Sequence, residues 1–320
     1  MGRGVKRLGI IGTMVWDTIH RDADPEPIEE WGGIAYALAA LEASLPEDWE
    51  FVPLIKVGRD LAPQANEFLE SLTHRSSAAR FIEVPEPNNK VTLRYQGLER
   101  TAELLSGGVP PWQWHELGPM VRDLDALYVN FISGFEATLE TVRHLRHGFG
   151  GPIYADLHSL FLSVAGDGRR VPQALADVAE WLSCFDVVQL NEGELNLIGS
   201  DPMEVAALAL DRGVRLLIVT LEDRGAVYFT VPPFDLLKRP TVASASGQPI
   251  RTARIDALPV EARDPTGCGD VFGGALAAQL IKGDAVEDAI RAANAAAARN
   301  VQYRGATSLH FHLRGEIVPQ

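Results

Sequence analysis

The stretch Arg263-Asp264-Pro265-Thr266-Gly267-Cys268-Gly269-Asp270 runs straight into the apolar segment Val271-Phe272-Gly273-Gly274-Ala275. Two glycines around one small residue permit a turn whose successive backbone N–H groups converge, and the helix that follows adds partial positive charge. Together they make a cradle for an anion. A carboxylate at Asp270 is out of place if the cradle only attracts anions. It fits a second task, taking a proton from a hydroxyl while the N–H groups hold transferred phosphoryl oxygens. Taken alone, the same acid also reads as an ordinary residue of a helix start. A dinucleotide fingerprint fits poorly, because Gly273 falls one residue late and 260–263 is no apolar strand.

The elements that must position this stretch alternate between short β-branched runs and longer amphipathic ones. Strands are predicted at 8–11, 51–57, 126–129, 152–155, 187–190, 216–220 and 226–230, and helices at 35–43, 65–72, 139–147, 172–182 and 203–212. Asp201-Pro202 is a cap residue followed by proline at the first helical position. Continuous apolarity, as in Leu216-Leu217-Ile218-Val219, suits strands buried on both faces of a parallel sheet covered by helices. The segments 81–83 and 91–105 differ. Thr92, Arg94 and Gln96 alternate with Leu93 and Tyr95, which predicts a hairpin with one wet face, a small β lid over the main sheet. Residues 232–254 read as loop with edge strands, 285–299 as a plain helix, and His310 and His312 as alternating positions on a strand.

Composition bounds the function. The 320 residues carry 29 basic and 43 acidic side chains, a formal net charge of −14. That balance offers no basic excess to release counterions from a phosphate backbone, so nucleic acid is not an expected partner. Two cysteines, Cys184 and Cys268, make neither a disulfide framework nor a four-thiolate metal site. No apolar run reaches the length of a membrane span and the start carries no signal-peptide pattern, so a cytoplasmic protein without membrane partners is expected. The lysines are Lys6, Lys56, Lys90, Lys238 and Lys282, and none sits in a G-K-[ST] context, which excludes a P-loop kinase. His144 and His147 lack a third ligand and read as a solvated helix face.

In order along the chain stand Gly12 and Asp17 after the first strand, Gly32-Gly33 before a helix, and Val57-Gly58-Arg59-Asp60. Ser133-Gly134, Asn191-Glu192-Gly193-Glu194, Thr220 through Gly225, Asp264 through Asp270, Ala292 through Ala297 and Arg304-Gly305-Ala306 follow. This series resembles the ribokinase-like (PfkB) family of carbohydrate and nucleoside kinases, over nearly the whole chain. The resemblance implies one αβα sandwich domain spanning 1–320, with a β lid built from segments within about 13–30 and 81–108. It implies transfer of a phosphoryl group from ATP, with Mg²⁺, to a hydroxyl (a CH₂OH in the first instance) of a small sugar or nucleoside.

By that resemblance Asp270 is the catalytic base, and Gly267, Cys268 and Gly269 donate backbone N–H groups to the γ-phosphate. Asn191 and Glu194 match the family's N-x-x-E motif, with Glu194 acting on Mg²⁺ through water. Thr220, Gly225 and Asn294 match positions around the nucleotide, although Glu222 stands where the family commonly has glycine. Asp17, Gly32 and Gly33 match the substrate side, where a carboxylate can accept two hydrogen bonds from a diol. Departures there are Ala37 in place of a hydroxyl-reading asparagine, a neighbouring Tyr36 that suggests a more aromatic pocket leaning towards a nucleoside, and Asp156-Leu157-His158 in place of D-P-N. Asp264 and the 304–306 turn correspond to where some members hold a monovalent cation, and some members form homodimers through the lid. The alternative is a degenerate binding protein that keeps the fold without turnover.

Overall fold

The β-branched runs become strands because each is apolar on both faces and is covered on both. The computed structural model describes residues 4–22, 26–77, 81–238 and 247–317. In chain order the first elements are β1 (Lys6–Ile11), β2 (Met14–Arg21), β3 (Ile28–Gly33), α1 (Ile34–Ser44), β4 (Trp49–Leu54) and β5 (Lys56–Gly58). Then come α2 (Ala62–Glu70), β6 (Ile82–Val84), β7 (Lys90–Gln96), β8 (Glu99–Ser106), α3 (Trp114–Met120) and β9 (Ala126–Asn130). Next are α4 (Leu139–Gly148), β10 (Ile153–Asp156), β11 (Leu162–Val164), β12 (Arg170–Pro172), α5 (Val178–Leu182) and β13 (Val187–Asn191). The C-terminal part holds α6 (Glu192–Ile198), α7 (Pro202–Asp211), β14 (Leu216–Thr220), β15 (Ala226–Thr230) and β16 (Arg251–Ile255). It ends with α8 (Cys268–Lys282), α9 (Val286–Asn300) and α10 (Leu309–Arg314).

Eight strands form the main sheet in the order β16-β15-β14-β13-β10-β9-β1-β4. From β4 to β14 neighbours run parallel, while β15 and β16 close one side antiparallel. One apolar cluster joins the sheet to α1, α2, α8, α9 and α10, and a second joins its other face to α3, α4, α5, α6 and α7. That is an αβα sandwich. The parallel strands point their carboxyl ends to one side, where ligands of such sheets bind. A four-stranded sheet, β3-β2-β7-β8, stands over that side on its own apolar patch of Val15, Ile19, Val91, Leu93 and Tyr95.

Three expectations change. The predicted 51–57 strand breaks at Ile55, so β4 stays in the main sheet while β5 turns to pair with β6. The predicted 172–182 helix shrinks to α5, because Arg170–Pro172 pairs as a strand with Leu162–Val164 and Asp177 takes a left-handed φ of 53° at the helix start. His310 and His312 lie on a helix, α10, bracketed by left-handed Ser308 and Gly315. There Leu309 and Leu313 at a spacing of four share the inward face, a helical period that outweighs the two-residue spacing of the histidines. Part of the 232–254 loop, 239–246, lies outside the described residues. No described helix is long and apolar enough to cross a membrane.

Candidate active site

The 264–270 turn is held from below by an aromatic ring. Gly267 caps α8 with a left-handed φ of 72°, and a Cβ there would lie 2.3 Å from the ring of Tyr36. Only glycine allows both the backbone angle and the approach. No side chain caps α8, and among the described residues the N–H groups of Gly269 and Asp270 have no backbone partner. The Cys268 N–H is already turned to the Pro265 carbonyl at 3.3 Å. Its thiol points away towards α9, receives a hydrogen bond from Asn300 Nδ2 at 3.2 Å, and is pushed up to about 11 by burial. It is a protonated filler. A Cβ on Gly269 would meet nothing within 4 Å, so the protein itself does not demand a glycine there. The open space above it is what the missing side chain preserves.

Asp270 occupies the first turn of α8, half-buried and aimed at the carboxyl end of the sheet. Asn130, the last residue of β9, donates from Nδ2 to Asp270 Oδ1 at 2.8 Å. Asp270 Oδ2 has no protein donor among the described residues. Burial pushes the carboxyl up to about 6, against the opposing pull of Asn130, His158 and Arg100. A base with that value is largely ionised at neutral pH yet takes a proton more readily than an ordinary aspartate.

Beside it lies a tight acid–imidazole web at the ends of β10 and β13. Gln189 donates from Nε2 to Asp156 Oδ2 at 2.7 Å and to the Gly269 carbonyl at 3.1 Å, tying the sheet to the anion turn. Asp156 Oδ1 accepts from the His158 N–H at 3.1 Å. His158 Nδ1 sits 2.5 Å from Glu194 Oε1. Burial alone would depress this imidazole, but the Glu194 carboxylate outweighs it and pushes the group up to about 9, so His158 is a cation. Asp156 is held well above the usual carboxylate range by burial, then by Glu194.

Asn191 and Glu194 form a reciprocal cap on α6. Glu194 N–H donates to Asn191 Oδ1 at 2.9 Å, and Asn191 N–H donates to Glu194 Oε2 at 2.8 Å. Both Glu194 oxygens are therefore engaged, and Glu194 is buried. Direct metal ligation would have to break these bonds. The donor set instead fits a hydrated Mg²⁺ reached through water, as Mg²⁺ usually keeps several waters.

On the facing sheet, Asp17 of β2 is buried and has no hydrogen-bond donor among the described residues. Burial raises its carboxyl well above the usual range, with Glu30, Glu103 and Asp270 adding to the effect. Asp17 and Asp270 thus share one field from opposite sides of the cleft. Gly32 makes room: a Cβ there would lie 1.8 Å from Asp17 Oδ2. Gly33, with φ 58°, turns the chain into α1. Arg100 of β8, paired with Glu103 at 3.1 Å, sits close enough to lower the carboxyls of both Asp17 and Asp270.

The nucleotide-side positions are more dispersed. Thr220 ends β14 and its hydroxyl donates to the Leu190 carbonyl at 3.4 Å. Gly225, at φ 91°, lets that turn pass against the end of β16. Asn294 is buried and spends its amide on the Ile255 and Asp256 carbonyls at 3.1 and 3.2 Å, so its amide clamps the wall of this region. Glu222 is exposed, at a left-handed φ of 55°. Tyr36 does not line an open aromatic pocket; it is buried under Gly267, which removes the residue-level ground for preferring a nucleoside. Asn130, Gln189 and Arg100 were not singled out by their sequence context. Asn130 and Gln189 carried one available signal each, a polar residue ending the apolar run Ala126-Leu127-Tyr128-Val129 and one inside Val187-Val188-Gln189-Leu190.

The family profile described as pfkB family carbohydrate kinase matches residues 163–311. The bifunctional protein HldE of Bradyrhizobium sp. (strain ORS 278) is 36% identical over 121 residues, which are 36% of this chain and 21% of that protein. This chain thus spans only a small part of that relative's length. The structure of ribokinase from Thermotoga maritima superimposes with a TM-score of 0.70 at 20% identity, covering 97% of this chain and 98% of that one. Adenosine kinase from Sinorhizobium meliloti gives a TM-score of 0.70 at 18% identity, covering 98% of each chain. The fold is ribokinase-like from end to end. The profile match adds a PfkB-like stretch at 163–311, which contains the Asn191–Glu194 and Asp264–Asp270 motifs.

Proposed function

We propose that this protein transfers the γ-phosphoryl group of ATP to a hydroxyl of a small polyhydroxylated substrate, a sugar or a nucleoside. The observation that carries this reading is Asp270: a carboxyl raised to about 6, one oxygen held by Asn130 and the other without a donor among the described residues, on a helix start where the Gly269 and Asp270 N–H groups have no backbone partner among them. A residue that merely capped α8 would be bonded to that helix's own backbone.

Asp17 and Arg100 face the acceptor, Asp17 accepting hydrogen bonds from its hydroxyls. The four-stranded sheet acts as a lid that holds the acceptor over the carboxyl ends of β1, β9 and β10. Asp270 Oδ2 takes the proton from the attacking hydroxyl as its oxygen bonds to the γ-phosphorus. The bond from that phosphorus to the bridging oxygen breaks, and ADP leaves. The N–H groups of Gly269 and Asp270 hold the oxygens of the transferred group, and the His158 imidazolium lies beside Asp156 and Glu194 to offset their charge. Glu194, with Asp156 nearby, would hold Mg²⁺ through water, and the ion would neutralise charge on the nucleotide phosphates.

The test is acceptor-dependent ADP release from the purified protein with Mg-ATP across a panel of sugars, polyols and nucleosides. A hit within the panel supports the reading. Nucleotide binding without acceptor-dependent ADP release across a broad panel speaks for the degenerate binder.

A further inference from the structure

The loop that carries the anion turn begins at Asp264, and Asp264 is buried. Its N–H donates to the Val301 carbonyl at 2.9 Å, and its Oδ1 accepts from the Thr266 N–H at 2.9 Å, so this carboxylate shapes the turn. A buried carboxylate needs a compensating charge. Where a monovalent cation would sit, between Asp264 and the 304–306 turn, two side chains from the small sheet are already in place.

Arg21, the last residue of β2, puts Nη2 2.5 Å from Asp264 Oδ1, with the two side chains 6% and 2% exposed. Its guanidinium stacks on the Tyr95 ring at 4.4 Å, and the Tyr95 hydroxyl shares a hydrogen bond with Thr266 Oγ1 at 3.0 Å. From β3, the Glu30 carboxylate lies against Gly305, where a Cβ would come within 1.5 Å of Oε2. Burial, then Asp264, pushes Glu30 up to about 7. The residues do not fit a free monovalent ion: the carboxylate it would neutralise is ion-paired, and its approach past the turn is filled.

We propose that Arg21 is the loop's own cation, carried in from the small sheet in place of an exchangeable ion, and that it positions the 264–267 turn. The proposal rests on the reading of that turn as the phosphoryl cradle only for its consequence in catalysis; the charge replacement stands without it. Two features separate a guanidinium from an ion here. It cannot be washed out, and it links β2 and β7 mechanically to the turn through Tyr95 and Thr266. Arg21 is a positioning residue, because it reaches the reacting groups through Asp264.

The test reads thermal stability and needs no turnover, so its failure is distinguishable from failure of the kinase reading. The wild-type protein is compared in KCl, RbCl, LiCl and choline chloride at one ionic strength, and the same midpoint is expected with K⁺ as with choline. A saturable rise selective for K⁺ or Rb⁺ would overturn the proposal. Arg21→Met, which keeps length and loses charge, is expected to melt lower and to recover by several degrees with K⁺ or Rb⁺ but not with choline. Uniform destabilisation without ion selectivity would make Arg21 a packing residue and also overturn the proposal. The wild-type comparison requires no variant, so a misfolded Arg21→Met leaves the proposal exposed to refutation.

Discussion

Asn130 and Asp270 meet at 2.8 Å although 140 positions separate them, the tip of β9 reaching the first turn of α8. The amide holds one carboxylate oxygen and lowers the carboxyl, while burial raises it. The balance sets a base with one oxygen fixed and one free. Asn130→Ala removes the lowering partner, so the acid limb of kcat/KM, expected near pH 6 in the wild type, should move to higher pH. Turnover at pH 7 should fall by about tenfold, in line with a lost hydrogen bond to a charged group of ~1.5 kcal/mol. A pH–rate profile of both proteins checks this; an unmoved limb would detach Asn130 from the base.

His158 pairs with Glu194 and is the cation that most lowers the carboxyls of Asp156 and Asp270. His158→Gln keeps a polar side chain and discards the charge. The Asp270 limb should again rise, and less Mg²⁺ should be needed for half-maximal rate, because Glu194 loses the imidazolium that competes for its charge. NMR titration of the wild-type imidazole should place its midpoint near 9, far above a free histidine. A midpoint near 6.5 would contradict the pairing.

Gly267→Ala puts a methyl group into the Tyr36 ring and a side chain on a φ of 72°. The expected cost is ~2 kcal/mol of stability together with a severe loss of turnover. The double variant with Tyr36→Ala relieves the clash but not the backbone angle. Thermal melts of the four proteins should therefore show coupling between the two positions. Strict additivity would place the ring elsewhere.

Asp17 titrates well above its unfolded value, so the folded state binds its proton more tightly than the unfolded one. Its contribution favours the fold at low pH and is lost as pH rises through the folded value. Asp17→Asn should accordingly melt like the wild type near pH 4 and above it at pH 8. Its KM for the acceptor should rise by ~10–100-fold, as for a lost charged hydrogen-bond partner. Equal melting at pH 8 would show that the carboxylate is not buried without a partner.

Much of the architecture is written in local pattern. The all-apolar run 216–219 fitted a strand buried on both faces, and the alternation around Leu93 and Tyr95 suggested a hairpin with one wet face; both are strands. The glycine turn at 267 and the helix start after it were readable because glycine spacing and helix onset are local. What was not readable depends on distant segments arriving together. Nothing near Asn130 or Gln189 announces a partner at 269–270, and Arg21 meets Asp264 across most of the chain. Tyr36 misled for the same reason: its place under Gly267 depends on how α1 packs on α8.

The most direct measurement is phosphoryl transfer from Mg-ATP to the best acceptor of the panel, wild type beside Asp270→Asn. The amide keeps the shape of the site, removes the base, and relieves a carboxyl whose ionisation between about pH 4 and about 6 works against the fold. The account predicts a turnover lower by ~10²–10⁴, unchanged nucleotide binding and a melting temperature at pH 8 no lower than that of the wild type. Turnover near the wild-type rate in Asp270→Asn would contradict the role assigned to this residue, and with it the mechanism.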